Sequence, residues 1–392
     1  MASPAVETII VGGGPAGLAT AIFLAHAAPQ LAERILVLEK EHYPRDKFCA
    51  GGLGARADRL LARAGVYVNV PSVPVSAIAL RLGDDEIVGR DQHIGRVVRR
   101  IEFDHELANV ARSRGIRIVE GARVDGVHID RDGVIVHGSA GTFRGRTLVG
   151  ADGVGSFVRR ALGLPGGRFR AQVIELDTEP TDGDPPRDTL LFDLSDRSLP
   201  GYAWDFPTLV DGRELVCRGI YHLKTSDSNG IDIRALLAQK LARQGLDLSR
   251  YRIKRYGERG FEPHVPFSAP RVLLVGEAAG IDPVTGEGIA QAIEYGAFAG
   301  EYLAEKLATG DLVFGDFTER LGRTRLGLDL TARSKVADFY FGNYRAPIER
   351  FLIETPEFLS LGVRYFGGLR VPRAPLFRLA MRAAWHTLRA LR

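Results

Sequence analysis

Residues 7–17 read Glu7-Thr8-Ile9-Ile10-Val11-Gly12-Gly13-Gly14-Pro15-Ala16-Gly17. Glu7 to Val11 is a short buried strand and Leu18 to Ala28 reads as a helix, so the glycines occupy the turn between them. Arg34 to Leu38 is the next strand, which makes residues 7–38 a βαβ unit. Gly12 permits the tight turn, Gly14 lets the backbone approach a pyrophosphate, and Gly17 lets the helix lie close on the sheet. The helix N-terminus then offers N–H donors and a positive dipole end to phosphate. Glu39 ends the second strand about twenty residues on, where a carboxylate accepts ribose hydroxyls and disfavours a 2′-phosphate. The spacing predicts a dinucleotide site for an unphosphorylated adenosine ribose.

The loop does not separate FAD from NAD, but two later stretches do. Gly150-Ala151-Asp152-Gly153 closes an apolar strand (Thr147 to Gly150), with Ser156 and Arg159 one helical turn along. Gly276-Glu277-Ala278-Ala279-Gly280 follows the strand Val272 to Val275 and leads into Asp282-Pro283-Val284-Thr285-Gly286-Glu287-Gly288. Glycines there bring backbone N–H groups and a helix start to the pyrimidine edge of a flavin, where the reduced ring carries negative charge. Taken with the first loop, they predict one FAD-binding fold.

The chain of 392 residues is 45% hydrophobic, enough for two or three packed units. Its net charge of +4 suits nucleic acid, anionic lipid or an acidic redox partner equally. Cys49 and Cys217 are the only cysteines, which excludes a disulfide framework and suits a reducing cytosol. The N-terminus enters a strand directly, without the pattern of a signal peptide, and no apolar run reaches spanning length. The expected location is cytoplasmic, with contact at the inner face of the membrane as an option.

The expected fold class is α/β: an FAD-binding Rossmann-like domain with an inserted antiparallel β-sheet substrate domain and a C-terminal helical region. Residues 1–75, 96–165 and 262–325 are assigned to the first, 76–95 and 166–261 to the second, and 326–392 to the third. The substrate sheet is read from alternating stretches (Leu190 to Leu194, Glu214 to Tyr221) and turn clusters such as Thr181-Asp182-Gly183-Asp184. Glu287 to Leu307 is a long helix, and the helical tail should break at Pro347, Pro356, Pro372 and Pro375. No internal repeat is present.

With these motifs and Arg100-Ile101-Glu102-Phe103-Asp104, the chain resembles the para-hydroxybenzoate hydroxylase-like flavoproteins, and within them the geranylgeranyl reductase family. Tyr43-Pro44-Arg45-Asp46-Lys47-Phe48-Cys49-Ala50-Gly51-Gly52 is similar to that family's Pro-Arg-x-Lys-x-Cys-Gly-Gly segment, and Tyr202-Ala203-Trp204-Asp205-Phe206-Pro207 to its Tyr-x-Trp-x-Phe-Pro motif. Glu277 stands where the class usually has aspartate, Ala50 where the family often has glycine, and Cys217 where the first glycine of a downstream pair would fall, Gly219 being the second. The resemblance implies FAD contacts at Gly12, Gly14, Pro15, Ala16, Gly17, Glu39, Lys40, Arg45, Arg100, Val124, Asp152, Gly153, Gly276, Glu277, Gly286, Gly288 and Ile289. It implies reduction of isolated alkenes in an isoprenoid lipid or quinone side chain by hydride from reduced flavin, with NAD(P)H or a small redox protein as electron donor.

An unactivated alkene has no carbonyl to polarise, so the protein must position it and supply an acid. Cys49 is the candidate catalytic residue, because the resemblance places it near the flavin ring; the bland alternative is a small buried thiol. Arg45 and Lys47 either meet a substrate diphosphate or stay solvated. Tyr202, Trp204 and Phe206 alternate and so share one face of a strand, a candidate wall for a prenyl chain that continues to Pro207; plain core is the other reading. His264 reads as structural, and no cluster suggests a metal.

From Leu361 to Arg392 there is no Asp or Glu, but there are arginines at 364, 370, 373, 378, 382, 389 and 392. This tail either lies on anionic lipid or packs on its own domain, and no motif accompanies it that would read nucleic acid. The rival function is an FAD-dependent monooxygenase on an aromatic or polyketide-type substrate. A halogenase would show Trp-x-Trp-x-Ile-Pro where this chain has Tyr202-Ala203-Trp204-Asp205-Phe206-Pro207. A lipid-binding flavoprotein without turnover is the third reading.

Overall fold

In a computed structural model of the chain, which describes residues 6–224, 230–342 and 344–369, the strand Val6–Val11 is buried from Glu7 onward. It lies between two parallel neighbours, Ile35–Leu38 and Gly141–Gly150, with Ile9 opposite Leu36 on one side and Leu148 on the other. Arg117–Val119 and Val272–Leu274 extend the parallel array outward. Strands covered on both faces are largely apolar, as with the fully buried Ile9, Ile10, Leu148, Val149 and Leu273, and the buried hydroxyls of Thr8 and Thr147 meet each other at 2.9 Å. Ser268–Ala269 closes one edge, and the hairpin Val124–Ile129/Val134–Gly138 pairs with the outer part of Gly141–Gly150.

Val11 pairs with Gly150, and Gly150 with Leu274. The three glycine motifs therefore emerge side by side at the carboxyl ends of adjacent parallel strands, the crevice where open α/β sheets bind ligands. Helix Pro15–Ala27, opened by proline, packs against the long helix Ile289–Thr309. The axes approach closely because Gly296 and Gly300 carry no side chain. A methyl at Gly296 would lie 2.5 Å from Ala19 Cβ, and one at Gly300 2.6 Å from the Leu24 nitrogen.

The second sheet runs in the order Lys254–Arg259, Arg170–Thr178, Arg213–Leu223, Gly201–Val210, Thr189–Asp193, Ser72–Leu82, Asp85–Val98, Gly52–Gly54. The sequence pattern predicts an antiparallel sheet, and one seam departs from it: Thr189–Asp193 runs parallel to Ser72–Leu82. These strands come from segments more than a hundred residues apart, so no hairpin dictates their direction. Gly52–Gly54 also joins this sheet, antiparallel to Asp85–Val98. Helix Ile233–Arg243 covers one face through Leu237 and Leu241, packed on Ile174, Leu176 and Ile220.

Helices Arg325–Tyr340, Arg345–Glu354 and Glu357–Phe366 follow. Of the expected breaks, Pro356 separates two helices, but Pro347 lies inside the first turn of Arg345–Glu354. A proline there forfeits no intrahelical bond, since first-turn N–H groups have no partner within the helix. Pro372, Pro375 and the arginines from Arg370 onward lie outside the described residues. Arg364 donates to Asp91 at 2.6 Å, tying the last described helix to the second sheet. Among the described residues no helix is long and apolar enough to cross a membrane.

Replacing Gly300 by valine should force the two helices apart at a cost of about 1–3 kcal/mol. Urea titration should give a lower midpoint with an unchanged slope; an unchanged midpoint would mean that this contact does not set the stability.

Candidate active site

The first loop is shaped by backbone packing. Gly12 has φ +106°, and a methyl on it would sit 2.3 Å from the Ala151 carbonyl oxygen; one on Gly17 would sit 2.0 Å from the Gly12 oxygen. No side chain fits at either place. Glu39 is buried and accepts the Gly13 N–H at 2.9 Å. Tyr43 Oη donates to the Gly13 carbonyl, as does Arg45 Nη2 at 3.0 Å. Arg45 also pairs with Asp104 (3.0 Å) and Glu39 (3.3 Å), while Arg100 holds Asp104 through two bonds of 2.6 Å. Both guanidinium groups hang over Gly14, 3.7 and 3.8 Å from where its side chain would begin.

The helix Pro15–Ala27 behind Gly14 has no side-chain cap, so its first N–H groups remain open to an anion. Two guanidinium groups, an uncapped helix start and a cradle that any Cβ would fill fit a pyrophosphate. Arg45 thus stands on the nucleotide loop and out of solvent. Val124 packs on the core of this domain, just beyond Ala122, whose N–H bonds the Glu39 carbonyl at 2.8 Å. Lys40 is exposed and pairs only loosely with Glu41, at 3.9 Å.

The middle and late motifs meet around Glu277. Asp152 accepts from the Phe157 and Val158 N–H groups at 2.6 and 3.1 Å and from the Ser156 hydroxyl. Its carboxylate therefore caps the short helix Phe157–Ala161, and what it presents to the crevice is backbone, pressed on Gly12. A methyl at Gly153 (φ +77°) would lie 3.6 Å from Glu277 Oε2, and Glu277 lies 3.9 Å from Lys47 Nζ. Gly276 (φ +59°) packs on Ala16. Gly286 (φ +64°) turns the chain into Gly288 and the helix beginning at Ile289, again without a side-chain cap.

Two arginines that no motif flags hold this last loop. Arg333, from the C-terminal helices, pairs with Asp282 and Asp329, and Arg56 pairs with Glu287 and Glu294, both at 2.8 Å. The Tyr365 ring lies against both guanidinium groups.

Above the loops stands the other face of the second sheet, buried at Tyr202, Trp204, Phe206 and Tyr221, and its composition follows from register. Tyr202 lies opposite Tyr221, Trp204 opposite Gly219, and Phe206 opposite Cys217. On the next strands Glu175 lies opposite Gly219 and Lys254, Val173 opposite Tyr221 and Tyr256, and Ala171 opposite Glu258. One half of the face is thus aromatic. Tyr202 stacks on Tyr221 at 5.2 Å between centroids, and Phe192 meets both Tyr202 and Phe206. Gly219 is required there, because a methyl on it would lie 2.2 Å from the Trp204 ring.

The other half is polar. Glu175 accepts the Cys49 N–H and the Tyr256 hydroxyl, each at 3.0 Å, and Lys254 bonds Asp177 at 2.6 Å. Burial pushes the Cys49 thiol up, opposed by Arg100, so it keeps its proton at neutral pH. Burial likewise raises Glu175, against the pull of Lys254. The face touches the late loop directly: Tyr202 donates to the Thr285 carbonyl, and Tyr221 to the Pro283 carbonyl at 3.0 Å. Gly52, beside Cys49, lies under Phe206, 3.5 Å from its would-be side chain. Cys49, the aromatic stripe and the glycine loops are therefore neighbours. His264 lies elsewhere, in a groove of about 390 Å³ with Pro266 and Phe314. Among the described residues no cluster could hold a metal.

Residues 5–311 match the family model described as an FAD binding domain. A menaquinone reductase of Mycobacterium tuberculosis is 30% identical over 341 residues, spanning 78% of this chain and 77% of that protein. The digeranylgeranylglycerophospholipid reductase of Methanothrix thermoacetophila is 27% identical over 340 residues, spanning 78% and 79%. The chain belongs to the geranylgeranyl reductase family of FAD-dependent oxidoreductases. This flavoprotein superposes on a geranylgeranyl bacteriochlorophyll reductase-like protein of Thermoplasma acidophilum with TM-score 0.69 and 21% identity, covering 95% of each chain. A flavin-dependent brominase gives TM-score 0.66 at 18% identity, covering 98% and 100%, a likeness of fold alone.

Arg45→Met should leave the flavoprotein folded, since Asp104 keeps Arg100, yet weaken FAD by about ten- to a hundredfold. Calorimetric titration of the apoprotein with FAD checks this; equal affinity would remove Arg45 from the site.

Proposed function

We propose that this flavoprotein reduces carbon–carbon double bonds in an isoprenoid chain, that of a lipid or of a quinone. The observation that carries the reading is the division of one sheet face, directly over the cofactor loops, into an aromatic half and a proton-bearing half. The relatives named as reductases of menaquinone and of digeranylgeranylglycerophospholipids agree with it. An electron source, a nicotinamide nucleotide or a small redox protein, is required to reload the cofactor.

When bound and reduced, FAD supplies the hydride that one alkene carbon takes up. The chain's own residues do the rest. Tyr202, Trp204, Phe206 and Phe192 bind an apolar chain by burying it, at about 25 cal/mol per Å² removed from water. They also exclude the water that would compete for the proton. Tyr202 and Tyr221 spend their hydroxyls on the Thr285 and Pro283 carbonyls, so the aromatic wall and the loop beside the cofactor hold one position. The protonated Cys49 thiol supplies the second hydrogen, as the resemblance suggests. The backbone bond to Glu175 fixes where it stands.

The test is to reduce the purified holoprotein with dithionite under nitrogen and add a bacterial lipid extract. Flavin absorbance should return without oxygen, and a prenyl lipid should gain two hydrogens per reoxidised flavin. Flavin that stays reduced until oxygen enters, with a product that then gains an oxygen atom, would make the enzyme a monooxygenase. Cys49→Ala should bind FAD normally and reduce the lipid about a hundredfold more slowly or worse; wild-type rates would remove the thiol from the chemistry.

A further inference from the structure

Glu258 has no part in the scheme above, yet it stands where the elements of the site converge. It projects from Lys254–Arg259 on the same face as Tyr256 and Lys254, since alternate residues of a strand share a face. Its Oε2 is buried without a hydrogen-bond partner. That oxygen lies 2.7 Å from where a side chain at Gly286 would begin, beside the Tyr221 ring. Glycine at 286 therefore makes room for the carboxyl as well as for the left-handed turn. Charged and titratable groups face it from each neighbouring element: Glu277 from the late motif, Lys47 from the segment before Cys49, Asp282 from the loop and Glu175 from the adjoining strand. Cys49, Tyr202, Tyr221 and Tyr256 all lie within its electrostatic reach.

A carboxylate in this position would be a poor neighbour. Acidic groups outnumber Lys47 around it, and no N–H or O–H bonds its buried Oε2, so a charge shared onto that oxygen lacks a partner there. A neutral acid removes that cost. We propose that Glu258 is the proton reserve of the site, a carboxylic acid that returns a proton to the Cys49 sulfur after each reduction. The inference rests on the function proposed above. Reduction leaves Cys49 as a thiolate in surroundings that disfavour charge. The O–H bond of Glu258 breaks, an S–H bond forms, and the carboxylate left behind takes up a proton from hydronium in bulk solvent, by way of the partly exposed Lys47–Glu277 edge, releasing water. No electrons move in this step. Glu258 acts through Cys49 and is a positioning residue in that sense.

Burial and the surrounding acids raise the Glu258 pKa well above the ordinary value, so its contribution to stability is complete below that value, about 4.5, and is lost as pH rises toward the folded one. Glu258→Gln mimics the neutral acid and escapes the loss. Thermal unfolding of the oxidised holoprotein should therefore show this variant gaining on wild type by about 2 °C or more between pH 5 and pH 8. In steady-state reduction of a prenyl lipid, Glu258→Gln should lower kcat about tenfold or more, with KM unchanged. Glu258→Asp should restore much of the rate and bring back the wild-type pH profile. A melting difference that does not grow with pH overturns the proposal whatever reaction the enzyme catalyses. So does a wild-type pH profile in a folded Glu258→Gln variant. Failure of the wild type to reduce any prenyl substrate overturns the shared functional reading, and it is told apart because the melting comparison needs no turnover.

Discussion

The architecture hangs on a backbone contact with no room for a side chain: the turn at Gly12 pressed against the Ala151 carbonyl, with Gly17 folded back onto Gly12. It fixes two parallel strands and one helix to a single point, and Leu274, paired with Gly150, brings the third motif to the same place. Everything functional is arranged around that point. Arg45 and Arg100 hang over it, Asp152 and Ser156 stiffen the chain leaving it, and the helix at Ile289 begins opposite.

The second sheet gains its role by standing on the late loop. Tyr202 and Tyr221 bond carbonyls of that loop from above, while Arg333 of the C-terminal helices and Arg56 of the helix Ala55–Arg63 hold its acidic residues. The second sheet and the C-terminal helices thus meet at residues 282–288. Buried ion pairs of this kind contribute little net stability, because desolvation offsets the attraction, but losing one partner is costly. Here they tie the loop to the helices Ala55–Arg63 and Arg325–Tyr340.

How much of this was legible in the sequence depends on range. The glycine loops, Glu39 and the shared face of Tyr202, Trp204 and Phe206 could be read because each is decided within a few residues, by turn chemistry or by strand period. The polar half of the face could not. Glu175, Tyr256 and Glu258 meet Cys49 only through the register of strands far apart in the chain, and nothing local specifies register. The parallel seam between Thr189–Asp193 and Ser72–Leu82 escaped for the same reason. Asp152 adds a local partner that the motif does not announce: the N–H groups of Phe157 and Val158 bond its carboxylate. Gly219 is the instructive middle case, a motif glycine whose cause, the Trp204 ring opposite, appears only once the strands are paired.

The picture that results is one face with two chemistries, apolar where a chain would lie and proton-bearing where a bond would be saturated, with the cofactor loops beneath both. The most direct test is a crystal structure of the FAD-loaded protein with an unreactive, fully saturated prenyl compound. The account predicts a chain lying on Tyr202, Trp204 and Phe206, with its bond nearest the flavin ring turned toward Cys49. A chain bound away from that face, or a flavin ring separated from Cys49 by the aromatic wall, would contradict it.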